Sequence, residues 1–118
     1  MRYKTLLSTL FGLSALIIGQ AAHAASFDCD RAKAADEKAV CANRALNDMD
    51  VGMALLYKLD RRFLPMGGRG ALIDEQQAWL KTRGKCAADV KCLTDVYQQR
   101  IQALQQIIDT RVVTQGPF

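Results

Sequence analysis

Four cysteines in two close pairs, Cys29 with Cys41 and Cys86 with Cys92, constrain this chain more than any other feature. They follow an export segment, and everything after it reads as helix. Thiols that leave the cytoplasm meet an oxidising compartment, so the pairs read as crosslinks rather than as nucleophiles or metal ligands. The expected protein is small, oxidised and helical, and suited to binding more than to catalysis.

The export reading rests on the first two dozen residues. Arg2 and Lys4 make a positive start, Leu6 to Ile18 is almost wholly apolar, and Ala22-His23-Ala24 has the small-x-small cleavage pattern. The apolar run falls short of the roughly 20 residues that span a bilayer. Residues 1–24 are therefore read as a cleaved secretory signal peptide and 25–118 as one domain. That domain is expected to be soluble in the periplasm or secreted, with no stable membrane insertion. Ser26-Phe27-Asp28 precedes Cys29 and lacks the apolar and small residues of a lipid-attachment site.

Charge and histidine usage remove several function classes. Sixteen basic and twelve acidic side chains give +4, but Arg2 and Lys4 belong to the signal, leaving fourteen against twelve. The basic residues are spread among acids without the clustered stripe of a nucleic-acid surface, so nucleic acid is excluded as a partner. The one histidine, His23, leaves with the signal. Without it the domain has no Ser-His-Asp or Cys-His system and lacks the commonest zinc ligand. Neither cysteine pair has the two-to-four-residue spacing of a structural zinc site, so no metal and no cofactor is expected. Asp48, Asp50, Asp60, Asp74 and Glu75 read as solvated helix faces or turn caps rather than as a glycosidase pair. The chain is not expected to be an enzyme.

Helical periodicity organises the domain. Asn43 is a candidate cap, after which Leu46, Met49, Met53 and Leu56 recur at spacings of three and four, continuing to Phe63. Pro65 disfavours helix at Leu64, and Met66-Gly67-Gly68-Arg69-Gly70 reads as a loop. A second long helix is expected over about 71–83, with Leu72, Gln76, Trp79, Leu80 and Arg83 on one side and Gly84 as terminator. A third, from Asp89, carries a seam of Val90, Leu93, Tyr97, Ile101, Leu104 and Ile108, before a frayed Gly116-Pro117-Phe118 tail.

The cysteine spacings add turns to this outline. Twelve residues of unbroken helix would hold Cys29 and Cys41 about 18 Å apart, against about 5.5 Å between the Cα atoms of a disulfide. A break is needed between them, with Asp36 as the candidate cap of the following helix. Cys86 and Cys92 would lie about 9 Å apart in one helix, and Gly84 and Asp89 supply a turn. Four cysteines allow three connectivities; local pairing, Cys29/Cys41 and Cys86/Cys92, is favoured because each bridge then staples an expected turn. The fold class is all-α: a small disulfide-stapled antiparallel helical hairpin or bundle of three to four helices.

Several polar residues occupy positions where the periodicity asks for apolar ones. Gln76 and Arg83 share the stripe of Leu72 and Trp79, Asp50 lies beside Met49 and Met53, and Arg100 adjoins the Tyr97/Ile101 seam. Buried groups of this kind must be paired. A structural network is expected in which Asp50 meets Arg83 or Arg100, Gln76 bridges helices, and the hydroxyls of Tyr57 and Tyr97 close it. Trp79 reads as core.

These residues also carry a resemblance. Ser26-Phe27-Asp28-Cys29, Glu37-Lys38-Ala39-Val40-Cys41, Leu46 with Asp50 and Tyr57, Gln76-Gln77-Ala78-Trp79-Leu80 with Arg83 and Cys86, and Cys92-Leu93 with Tyr97 and Arg100-Ile101 together resemble the LprI-like lysozyme inhibitor domain. The resemblance implies a helical, disulfide-stapled bacterial envelope protein and, as for the family's namesake, inhibition of lysozyme, here expected to act by non-covalent binding. The chain departs from the family's namesake in lacking a lipid-anchor cysteine, and its GGRG segment maps to no family motif. Under that reading Met66 and Arg69 are the candidate partner-binding residues. A cation flanked by glycines suits a loop inserted against the two carboxylates of a lysozyme cleft. The alternative is an envelope adaptor that docks another protein through a helix face such as Val51, Leu55 and Leu59.

Overall fold

Asn43 closes one helix and opens the next. Its backbone N–H donates to the Ala39 carbonyl at 3.0 Å, while its side chain accepts from the Leu46 N–H at 3.1 Å, satisfying orphan groups of both helices. The computed structural model describes residues 25–114, and the expected signal peptide and the 116–118 tail lie outside them. The described residues contain a 3-10 turn at Cys29–Arg31 and four helices: α1 Ala35–Ala42, α2 Arg44–Phe63, α3 Met66–Lys85 and α4 Val90–Ile107. A π-helical turn, Ile108–Val112, follows α4. The fold is all-α, with two disulfides.

The connection between α2 and α3 is much tighter than the sequence suggests. Leu64 takes an extended conformation before Pro65, as expected, but α3 begins at Met66, so Met66-Gly67-Gly68-Arg69-Gly70 is helix and not loop. Pro65 presets the backbone for a helix start, and its carbonyl accepts the Arg69 N–H at 2.9 Å. Leu64 is buried, and Gly68 sits against its side chain. Low glycine propensity is outweighed here by tertiary packing, which supplies most helical stability in proteins.

Two other boundaries differ from expectation. Asp36 does not cap α1; it lies inside the first turn, and the Glu37 carboxylate takes over, accepting the N–H groups of Lys33 and Ala34. Helix α3 runs through Gly84 to Lys85, and the left-handed residue of the α3–α4 corner is Ala87, with φ of 48°. Asp89 then caps α4 by accepting the Cys92 N–H at 2.9 Å. Both ends of the expected apolar stripes face out: Phe63 and Val90 are exposed.

Helices α2 and α3 form an antiparallel hairpin, and α4 runs back against α3 and so alongside α2. Met53 of α2 meets Gln76 of α3, and Trp79 of α3 meets Val96 of α4. The most extensive helix interface joins α2 and α4. The core comprises Val40, Leu46, Met53, Leu64, Leu72, Trp79, Cys86, Leu93, Tyr97 and Leu104. Each large apolar side chain buried there is worth about 1.5–3 kcal/mol relative to exposure. The bridges are the local ones, with Cα separations of 5.8 Å for Cys29–Cys41 and 5.5 Å for Cys86–Cys92. The first ties the 3-10 turn to α1 and the second closes the α3–α4 corner, each contributing about 2–3 kcal/mol for so short a loop.

Candidate functional site

The polar residues singled out in the sequence converge at the junction of α1, α2, α3 and α4. The Arg83 Nε donates to Asp36 Oδ2 at 2.8 Å, and its Nη1 donates to the Tyr97 hydroxyl at 3.3 Å. Tyr97 in turn donates to Asp50 Oδ1 at 2.9 Å, and Arg83 Nη1 stands 4.0 Å from that same oxygen. The Ser26 backbone N–H reaches the other Asp50 oxygen at 2.6 Å. Two carboxylates thus share one guanidinium, and all three groups are buried. Aromatic faces flank the cation: Phe27 at 5.5 Å and Trp79 at 5.7 Å, with Trp79 packed edge-on against Tyr97. Burial, then the neighbouring Asp50 charge, push the Tyr97 pKa above its ordinary value, so the hydroxyl keeps its proton and acts as donor.

A second, adjoining chain runs through Gln76. Its Nε2 donates to Met53 Sδ at 3.3 Å and its Oε1 accepts from Arg100 Nε at 2.9 Å, while Arg100 Nη1 lies 3.7 Å from Glu75. Burial lowers the Arg100 pKa from its usual value, with Glu75 opposing. Asp50 therefore meets Arg83 rather than Arg100. Tyr57 lies near Arg100 but hydrogen-bonds into neither chain; it is half-buried, and Arg61 lies over its ring at 5.6 Å.

Two buried carboxylates escaped the sequence reading. Asp36, a candidate cap by sequence, holds Arg83 instead. Asp60, expected on a solvated face or at a turn cap, is completely buried, and neither of its oxygens accepts a hydrogen bond. Burial pushes its pKa up to about 6, against the pull of Arg100. The signal was present: Leu46, Asp50, Met53, Asp60 and Leu64 lie on one stripe at helical spacing, and all are buried.

The candidate partner-binding pair is split. Met66 is 85% exposed at the start of α3, whereas Arg69 turns back and donates through Nη2 to the Leu64 carbonyl at 3.3 Å. Among the described residues no cluster of three or more His, Cys, Asp or Glu is placed to hold a metal, and no helix is long and apolar enough to cross a membrane.

The family model for lysozyme inhibitor LprI matches residues 29–104, which span both disulfides, Asp36, Asp50, Gln76, Arg83, Tyr97 and Arg100. The chain belongs to the LprI family. No curated protein and no solved structure matches it. Within this LprI chain the ion network and the bridges occupy the matched segment, while Ser26 and Phe27, which complete the network, precede it.

Proposed function

We propose that this LprI-family chain is an exported, non-enzymatic protein of the periplasm or extracellular space that inhibits lysozyme by non-covalent binding. The observation that carries the reading is the match to the lysozyme inhibitor LprI family over residues 29–104. The chemistry agrees with it: the described residues hold no histidine, and buried Asp36, Asp50, Arg83 and Arg100 are engaged in holding helices together. Met66, at the exposed α2–α3 corner, is an adaptable apolar contact for the enzyme. Arg69 is not a loop-borne finger: it lies in the first turn of α3 and is held by the Leu64 carbonyl.

The test is a titration of the purified, oxidised mature chain into turnover assays of animal-type, goose-type and invertebrate-type lysozymes, with a reduced sample alongside. Saturable inhibition of one class, lost on reduction, is the expected result. Absence of inhibition in every class at high excess would transfer the function to the second reading, an envelope adaptor. That reading draws on Val51 and Leu55, which are exposed on α2, with Leu59 half-buried on the same face.

A further inference from the structure

Four of the fourteen basic side chains in the described residues line one surface cavity. Lys58, Arg61, Arg62 and Arg69, with Tyr57, enclose about 270 Å³ between the last turns of α2 and the first turns of α3. Their dispersion in the sequence hid this, because Arg69 is brought to the others only by the tight Leu64-Pro65 turn. Among the described residues none of the four is paired with a carboxylate. Cations near a helix C-terminus are favoured by its dipole, which accounts for Arg61 and Arg62 singly. It does not account for the set, since Lys58 and Arg62 form a like-charge i,i+4 pair that opposes the helix.

The cavity is also organised for planar anions. Arg61 lies over the Tyr57 ring at 5.6 Å, and Arg69 is held by the Leu64 carbonyl with its Nε buried. A guanidinium held in place loses less freedom when its remaining outward N–H donors meet a carboxylate. A fold-stabilising role calls for acids nearby; a recognition role calls for the acids to arrive with the partner.

We propose that this cavity is a carboxylate-recognition site and, resting on the inhibitor reading above, that its occupant is the pair of catalytic carboxylates in the lysozyme cleft, which stand about 5 Å apart in a retaining enzyme of this kind. Arg61 and Lys58, both exposed, make the approach, and Arg69 forms the inner wall. Inhibition is then electrostatic blockade of the acid and nucleophile.

The experiment compares inhibition of the susceptible lysozyme by the mature oxidised chain and by Lys58→Glu/Arg61→Glu, Arg61→Gln and Leu55→Asp variants, with circular dichroism and melting to confirm folding. The double reversal is expected to weaken inhibition by at least about tenfold, Arg61→Gln by less, and Leu55→Asp not at all. Replacing the enzyme's carboxylates by amides should weaken wild-type binding but leave the double-reversal variant unaffected. Full inhibition by the folded double variant would overturn the cavity while leaving the inhibitor reading intact. Loss confined to Leu55→Asp would do the same. A wild-type chain that inhibits no lysozyme would overturn both.

Discussion

The Tyr97 hydroxyl donates to Asp50 Oδ1 across the α2–α4 interface, and both side chains are fully shielded from solvent. The bond joins residues 47 positions apart and supplies Asp50 with one of its two short hydrogen bonds. Tyr97→Phe keeps the ring but leaves that oxygen unsatisfied. It should cost about 1–3 kcal/mol, read as a lower urea midpoint with unchanged helical signal. A loss below about 0.5 kcal/mol would mean the hydroxyl is not a structural tie.

Arg83 is the hub between Asp36 and Tyr97. Arg83→Met leaves Asp36 and Asp50 buried near one another without their cation, and should cost about 3–5 kcal/mol. Asp36→Asn combined with it should cost less than the two single changes summed, because they break the same pair. Chemical denaturation of the four chains tests this, and strict additivity would argue against the coupling.

Asp60 makes stability depend on pH. Its folded pKa of about 6 exceeds the ordinary 3.8, so between those values the folded state binds the extra proton. Its contribution is therefore most favourable at low pH and declines as pH rises from about 4 to 6. By pH 7 the ionised carboxylate costs up to about 3 kcal/mol. Asp60→Asn should flatten the unfolding free energy over pH 4–7 and raise it at pH 7.5. Parallel curves for the two chains would contradict this.

Helical glycines in α3 leave room for improvement. A Cβ at Gly67 or Gly70 meets nothing within 4 Å, and neither position has a positive φ. Gly67→Ala and Gly70→Ala should each stabilise by about 0.5 kcal/mol or more, a rise of about 2–4 °C in Tm. If residues 66–70 were a flexible loop, Tm would not move.

Ala87 carries the opposite defect. Its left-handed φ of 48° costs an L-residue about 1 kcal/mol, so Ala87→Gly should raise stability by up to that amount. Differential scanning calorimetry of the oxidised protein reads the change.

What local chemistry governs was legible without coordinates. Asn43 had cap chemistry at the right distance from an apolar stripe, and that cap forms; α4 starts beside Asp89, where the third stripe was expected to begin. The cysteine spacings forbade one continuous helix across either pair, and both bridges are local. The polar residues on apolar stripes marked a buried network, whose members Asp50, Gln76, Arg83, Tyr97 and Arg100 are buried.

Long-range geometry decided the rest. Three glycines and an arginine after Pro65 read as a loop because propensity sees only the local backbone, whereas the helix there depends on packing around Leu64. Asp36 read as a cap and Asp60 as a solvated face or turn cap because a carboxylate's burial is set by neighbours far along the chain. The basic cavity was invisible for the same reason: Lys58, Arg61 and Arg62 meet Arg69 only after the chain reverses at Leu64-Pro65. The sequence alone determined the helices and the need for a buried ion network and favoured the local staples, since those follow from periodicity, spacing and the cost of unpaired charge; the structure chose the pairing. Which carboxylate holds which arginine, and where unpaired cations gather, depended on how the helices cross.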